Sequence, residues 1–358
     1  METKEKDPSM IVKFWGVRGS IPSPLTTEQI RAKEEALIKK ILQDGVIDSF
    51  RENPGKIEAY LCNLPQSLGG TYGGNTTCIE VKVKNSPLIA IDAGTGARAL
   101  GNYLIKRLFS GQHLNPLCSD QKTMRELHMF FSHYHWDHLQ GFPFFGPAFI
   151  GIKDKTLDIH FYGKQNATQT LSKVLSGQQQ YPNFPVVWRD MPCKKKYHEL
   201  GRMNGEIINI GESEIIYQEL DHPDSVFGYR VTVEGKSFVC ATDTEHRDRP
   251  DPNLVSLAKG ADVMFYDGQY TSEEYEGKAG PNKFKWGHST PEWGVRNALK
   301  ANVGILVIGH HEPMRDDFGI EKMYEETLKF RDKQLELPEN SGKNLEIIMA
   351  KEEMELPL

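Results

Sequence analysis

The segment Ser132-His133-Tyr134-His135-Trp136-Asp137-His138 puts three imidazoles and a carboxylate within six residues, directly after an apolar run. Such a set is costly to bury without partners, and a surface has no reason to alternate it at strand-end spacing. Imidazole nitrogen with a harder carboxylate oxygen suits Zn²⁺, with Mn²⁺ or Fe²⁺ as alternatives. Three further candidates each follow a predicted strand: His222 after YQEL, Asp243 after FVCAT and His310 after ILVIG. Strand ends that deliver ligands to one sheet edge are how an α/β scaffold assembles a site. His288 is a different kind of candidate. It precedes a helix opened by Ser289, Thr290 and Pro291, where free backbone N–H groups and the helix dipole favour an anion.

The elements that must position these groups are mostly strands. Strands are predicted over 11–17, 77–83, 88–91, 127–131, 215–220, 228–233, 238–241, 263–266 and 305–308, and helices over 97–109 and 291–301. A helical insert occupies about 25–67. Thr26 and Gln29 form a capping box there, Ile30, Leu37, Ile38 and Ile41 make a thin apolar stripe that Lys33 and Glu34 interrupt, and Gly45 stops the helix. The stretch from about Arg51 to Gly74 reads as loop, 151–211 as a mixed, Pro-interrupted region, and no element is assigned beyond Ile308. No composition break or internal sequence repeat divides the chain. One α/β domain spanning 1–358, with sheets in the middle, fits best.

At 358 residues, with 38% hydrophobic and 26% charged residues, the chain has a globular composition. No apolar run approaches the roughly 20 residues a membrane span needs. The opening METKEKDPSM lacks the apolar core of a secretory signal, so a cytoplasmic location is expected. Cys62, Cys78, Cys118, Cys193 and Cys240 are dispersed and read as reduced, mostly buried thiols. A net charge of −6 argues against a general polyanion binder, and the KKK at 194–196 reads as a solvated face.

The order HxHxDH, later His, Asp within TDT, and final His after an apolar strand resembles that of metallo-β-lactamase-fold proteins. The stretches WGVRGSIP (15–22), YGGNTTC (72–78), DAGTGAR (92–98), GFPFFGPAF (141–149), DHPDSVFGYR (221–230), ATDTEH (241–246), YDGQYTSEEY (266–275), WGHST (286–290) and GHHEP (309–313) resemble the phosphodiesterase-like branch related to ribonuclease Z. This resemblance implies an αββα sandwich with two metal ions. His133, His135 and His222 would hold one, Asp137, His138 and His310 the other, and Asp243 would bridge them. It further implies that His288, paired with Asp267, contacts the scissile phosphate and assists the leaving oxygen. Asp137 can accept a proton from the water while remaining a ligand.

Several residues carry more than one reading. His311 is a structural imidazole or a substrate-facing one, or it exchanges the ligand role with His310. Arg18, Asn75 and Thr76 can reach substrate from Gly-rich turns. Phe142, Phe144, Phe145 and Phe149 line either a base pocket or the core, and Asp92 hydrogen-bonds the metal loop. The expected reaction is phosphodiester hydrolysis by a metal-bound hydroxide, with a 3′,5′-cyclic nucleotide as the leading substrate. A tRNA 3′-processing endoribonuclease is the runner-up, although no Lys/Arg- and Gly-rich arm is present. A thioester or lactone hydrolase is a third reading, disfavoured by His288 and Asp267. Neither a membrane nor a stable nucleic-acid partner is expected, and a homodimer with the insert near a neighbouring site is compatible with the pattern.

Overall fold

A computed structural model describes residues 7–165, 168–201 and 206–358. Two seven-stranded sheets stack face to face. The first holds β14 (Glu355–Pro357), β1 (Met10–Gly16), β2 (Cys78–Val83), β3 (Leu88–Ile91), β4 (Glu126–Phe130), β5 (Asp158–Lys164) and β6 (Lys194–Leu200), in that order. The second runs β13 (Glu346–Met349), β12 (Ile305–Gly309), β11 (Val263–Asp267), β10 (Lys236–Ala241), β9 (Val226–Val233), β8 (Ser213–Leu220) and β7 (Ile207–Ile210). In each sheet antiparallel hairpins lead into four parallel strands, β3 to β6 and β10 to β13. The two halves thus repeat in topology although no repeat shows in their sequences.

Three apolar clusters explain the stacking. Alternate residues such as Val12, Phe14, Val81, Phe130, Tyr229, Phe238 and Phe265 fill the space between the sheets. Helix Gly96–Phe109 buries Leu100, Leu104 and Leu108 on the outer face of the first sheet. Helices Pro252–Leu257, Pro291–Ala301 and Asp317–Leu335 cover the second sheet with Leu254, Val295, Ala298, Ile320 and Met323. The result is the expected αββα sandwich, each sheet hiding one face against its twin and the other under helices.

The insert opens with helix Thr27–Asp44, whose Thr26–Gln29 capping box and left-handed Gly45 stop match expectation. The helix buries none of its residues. Lys33 interrupts its apolar stripe because its ammonium meets the buried Asp317 carboxylate and the Gly70 carbonyl. From Arg51 onward the structure differs from the loop expected there. Three short helices occupy Ile47–Glu52, Lys56–Cys62 and Gln66–Gly69. They bury almost nothing and lack side-chain caps, so no periodicity marked them. Beyond Gly309 the structure adds helix Asp317–Leu335, capped by Asp316, and strands β13 and β14. Ile320, Met323 and Thr327 are its sparse buried stripe among many charges. Four cysteines are buried and Cys62 is exposed, all unpaired. Among the described residues no helix is long and apolar enough to cross a membrane.

Candidate metal centre

The site lies where strands end. β4 runs out into the 132–138 segment, β8 into His222, β10 into Asp243, β11 into Asp267 and β12 into His310. Asp92, Asp243 and His310, each just beyond its strand, have φ values of 60°, 51° and 55°. The left-handed backbone turns each side chain sharply inward, at a cost of order 1–3 kcal/mol per residue. Asp and His tolerate this region better than most residues.

Two groups of ligand atoms converge. One atom from each of His133, His135 and His222 lies within 4.8 Å of the others, and the same holds for Asp137, His138, Asp243 and His310. Asp243 joins the groups: its Oδ2 is 3.1 Å from His138 Nε2 and 3.3 Å from His310 Nε2, and its Oδ1 is 3.8 Å from His133 Nε2. The buried Nε2 atoms of His133, His138 and His222 find no hydrogen-bond partner of acceptable geometry. Three such orphans pointing into one carboxylate-lined space are what a cation-binding centre requires, because an unsatisfied buried nitrogen otherwise only costs free energy. The donor set therefore fits divalent transition ions.

The outward-facing ring nitrogens are held in turn. Asp92 accepts hydrogen bonds from Ser132 N at 2.8 Å, Ser132 Oγ at 2.8 Å and His138 Nδ1 at 2.7 Å. Ser132 Oγ lies 3.1 Å from His133 Nδ1. Gln269 Oε1 accepts from His310 Nδ1 at 3.0 Å, while its amide nitrogen faces Ser20 Oγ and the Tyr270 hydroxyl. These contacts fix the tautomers that leave Nε2 of His138 and His310 to the centre. Asp224, exposed, takes His135 Nε2 at 2.9 Å. Gln269 and Asp224 were not singled out from the sequence, although both lie in stretches that carry the resemblance. Asp92→Asn should weaken metal retention and activity by about 10–100-fold, the usual effect of an orienting partner. A metal titration of the refolded variant checks this.

Charge in the centre divides the imidazoles. Burial pushes His133 well down and His222 down to about 4, so both stay neutral. Burial also opposes charge on His138 and His310, but the Asp243 and Asp137 carboxylates win: His138 is raised well up and His310 to about 9. Asp137 and Asp243 are held below the usual carboxylate range despite burial, His138 supplying the main opposing attraction.

His288 sits on the rim. Its Nδ1 is 2.9 Å from Asp267 Oδ2 and 3.8 Å from Asp243 Oδ1. Asp267 Oδ1 also accepts from Gln269 N at 3.0 Å. Glu245 steadies the loop before His288, accepting from the Tyr275 hydroxyl and from Lys285 N, each at 2.6 Å. Gly287 has φ 86°, and a Cβ there would stand 2.3 Å from the His222 ring. Thr290 is the N-cap of Pro291–Ala301 but makes no side-chain cap bond, while Ser289 Oγ is taken by Tyr266 and His246.

Other expectations resolve differently. His311 points away: its Nε2 meets the Ala350 carbonyl at 2.8 Å, its ring packs on Tyr72, and burial beside Arg18 pushes it down to about 3. Arg18 does not reach the centre either. It is 2% exposed and bonds the carbonyls of Gly73, Glu312 and Arg315. Asn75 is taken by Glu352, and Thr76 exchanges hydrogen bonds with Thr95. Phe142 and Phe145 are core, Phe149 packs against it, and exposed Phe144 meets Phe184. Exposed aromatic side chains that adjoin site residues in the chain are Trp136, between His135 and Asp137, and Trp286, two residues before His288, over whose ring the Lys283 ammonium lies.

The sandwich and its histidine–aspartate centre define a class, and sequence agrees. Residues 88–311 match the family model of the beta-lactamase superfamily domain, and the chain belongs to that family of metal-dependent hydrolases. Ribonuclease Z proteins are among its sequence relatives. The chain is 25% identical over 246 residues to ribonuclease Z of Staphylococcus carnosus (strain TM300), covering 66% of this chain and 74% of that protein. Its fold is similar to that of the metallo-beta-lactamase fold protein YhfI from Bacillus subtilis, with TM-score 0.55 and 14% identity over 98% of this chain and 99% of that one. It is also similar to unliganded yeast PDE1, with TM-score 0.54 and 13% identity over 98% and 100% of the two chains.

Proposed function

We propose that this chain is a phosphodiesterase that cleaves a small phosphodiester at a two-metal centre. His133, His135 and His222 would hold one ion, Asp137, His138 and His310 the other, with Asp243 shared. Such ions supply Lewis-acid neutralisation of phosphoryl oxygens and a water acidified enough to act as nucleophile near neutral pH. The residues of the chain do the rest. Asp137 orients the water and can take its proton. Asp267 keeps the His288 proton on Nδ1 or shares it, so that the ring can present a proton or charge at Nε2 to the departing oxygen. The observation that carries the reading is the 2.9 Å His288–Asp267 pair standing against Asp243, because ester and thioester cleavage needs no such phosphate-facing imidazole.

A 3′,5′-cyclic nucleotide is the leading substrate, and the exposed indoles of Trp136 and Trp286 support a base-bearing one. The likeness to ribonuclease Z favours a second reading, cleavage at tRNA 3′ ends. The net charge of −6 weighs against it, since gripping a polynucleotide takes clustered cations. A substrate panel of cyclic nucleotides, linear dinucleotides, tRNA precursor and a thioester tests both. Turnover of the precursor alone would select the second reading, and thioester turnover alone would sink both.

Metal loading should be pH-dependent. His138 and His310 are both raised and must release protons to bind an ion, so apparent affinity rises with pH through neutrality and through the His310 titration at about 9. Calorimetric titration in buffers of different ionisation enthalpy should show net proton release near neutral pH.

A further inference from the structure

At the other end of β4 lies a second group of imidazoles and carboxylates. Glu126 and His128 begin β4, Asp158 and His160 begin β5, and Lys196 and His198 lie on β6. Parallel pairing sets His128 opposite His160 and His160 opposite Lys196. By alternation these residues share the inner face with Phe130, Tyr162 and Leu200, which belong to the core between the sheets. The metal centre described above begins beyond the carboxyl end of β4, whereas this group begins at its amino end.

We propose that Glu126, His128 and His160, with Asp158 as fourth ligand, form a separate structural site for one divalent transition ion, Zn²⁺ by donor type. One ligand atom from each of Glu126, His128 and His160 lies within 4.8 Å of the other two. Two imidazoles and two carboxylates are a normal zinc donor set, and ligands at 2.0–2.1 Å in a tetrahedron stand about 3.3 Å apart. The present spacings bracket that value, while Asp158 lies outside the group that converges within 4.8 Å and must turn inward to complete the tetrahedron. Glu126 Oε1 is 2.6 Å from His128 Nε2 and 3.9 Å from His160 Nε2, and Asp158 Oδ1 is 3.7 Å from His160 Nε2.

Two independent features point to a cation here. Asp158 Oδ1 is buried and has no hydrogen-bond partner. The Lys196 ammonium, which can only donate, lies 3.0 Å from His160 Nε2 and 3.3 Å from Asp158 Oδ2. His160 Nε2 therefore offers a lone pair, and a positive charge already rests on the atoms an ion would use.

The remaining ring nitrogens are arranged as ligand histidines require. His160 Nδ1 lies 3.2 Å from His198 Nε2, and His128 Nδ1 lies 3.0 Å from the Tyr162 hydroxyl. A hydroxyl donates or accepts, so Tyr162 accommodates His128 when its Nε2 proton gives way to an ion. Entry is from the Lys196 side, whose chain is half exposed and free to swing outward. A bound ion would staple β4 to β5 at the rim of the sandwich.

The test counts ions on the full chain, stripped with chelator and re-equilibrated in zinc buffers, by plasma mass spectrometry. Wild type should hold one ion more than His160→Ala or Glu126→Gln, whatever the count at the other centre, so the result does not depend on the proposed function. Lys196→Ala removes a competitor and no ligand, so it should keep that ion and bind it at lower free zinc. Equal counts in wild type and Glu126→Gln, a near-isosteric change, would overturn the site even if His160→Ala failed to fold. An unchanged or weaker affinity in Lys196→Ala would remove His160 Nε2 from the ligand set.

Discussion

Asp243→Ala is expected to strip the centre and lower hydrolysis by more than about 100-fold, beyond the range seen when only an orienting partner is lost. The Asp243 carboxylate reaches into both proposed metal groups. Its two oxygens lie 3.1–3.8 Å from His133, His138, His288 and His310, one or more atoms in each proposed metal group. Alanine also sits poorly at φ 51°, a conformation Asp tolerates and which costs other L-residues about 1–2 kcal/mol. His311→Ala is the comparison. Its ring serves Ala350 and Tyr72, so it should lower stability while leaving metal content intact. Elemental analysis of both variants separates the cases. Asp243→Ala protein that kept its ions would end the shared-carboxylate assignment.

His288→Ala should keep its metal yet lose activity by about 10²–10⁴-fold, the scale of general acid catalysis. The loss should depend on the leaving group. A ribose alkoxide needs a proton to depart, whereas nitrophenolate does not, so bis(p-nitrophenyl) phosphate should suffer least. Asp267→Asn should show the same pattern more mildly, because the amide preserves the contact at His288 Nδ1 but not the charge that supports it. Equal losses on both substrates would make His288 a phosphate binder without a proton to give. No loss on either would remove it from the reaction and return ester and thioester substrates to contention.

Much of the sandwich was legible because its strands are short, apolar and closed by Gly, Pro or a polar residue. Strands 78–83, 88–91 and 263–267 and helix 291–301 fall within a residue or so of their expected bounds. The elements that escaped are those whose stability is borrowed. Helix Asp317–Leu335 buries only Asp317, Ile320, Met323 and Thr327, too sparse a stripe to show a period. The short helices after Arg51 bury almost nothing and so impose no pattern.

The candidate ligands themselves were readable for a chemical reason. Histidine and aspartate at alternating positions just past apolar strands have no cheap role in packing, so their identity alone announces a cation site. Which neighbouring residues serve that site was not readable, because it depends on direction rather than type. His310 and His311 are chemically alike and adjacent, yet a left-handed turn at His310 sends one ring to Asp137 and Asp243 and the other to Ala350. Arg18 reads as a substrate-binding cation and is instead a buried clasp, its Nε and Nη1 donating to three backbone carbonyls and its Nη2 facing Asp317. Gln269 reads as an ordinary polar residue, but it is the side chain that meets His310 Nδ1. Residue chemistry is written in the chain one position at a time, while orientation is set by φ, by register and by partners up to hundreds of residues away, and only the folded sandwich brings those together.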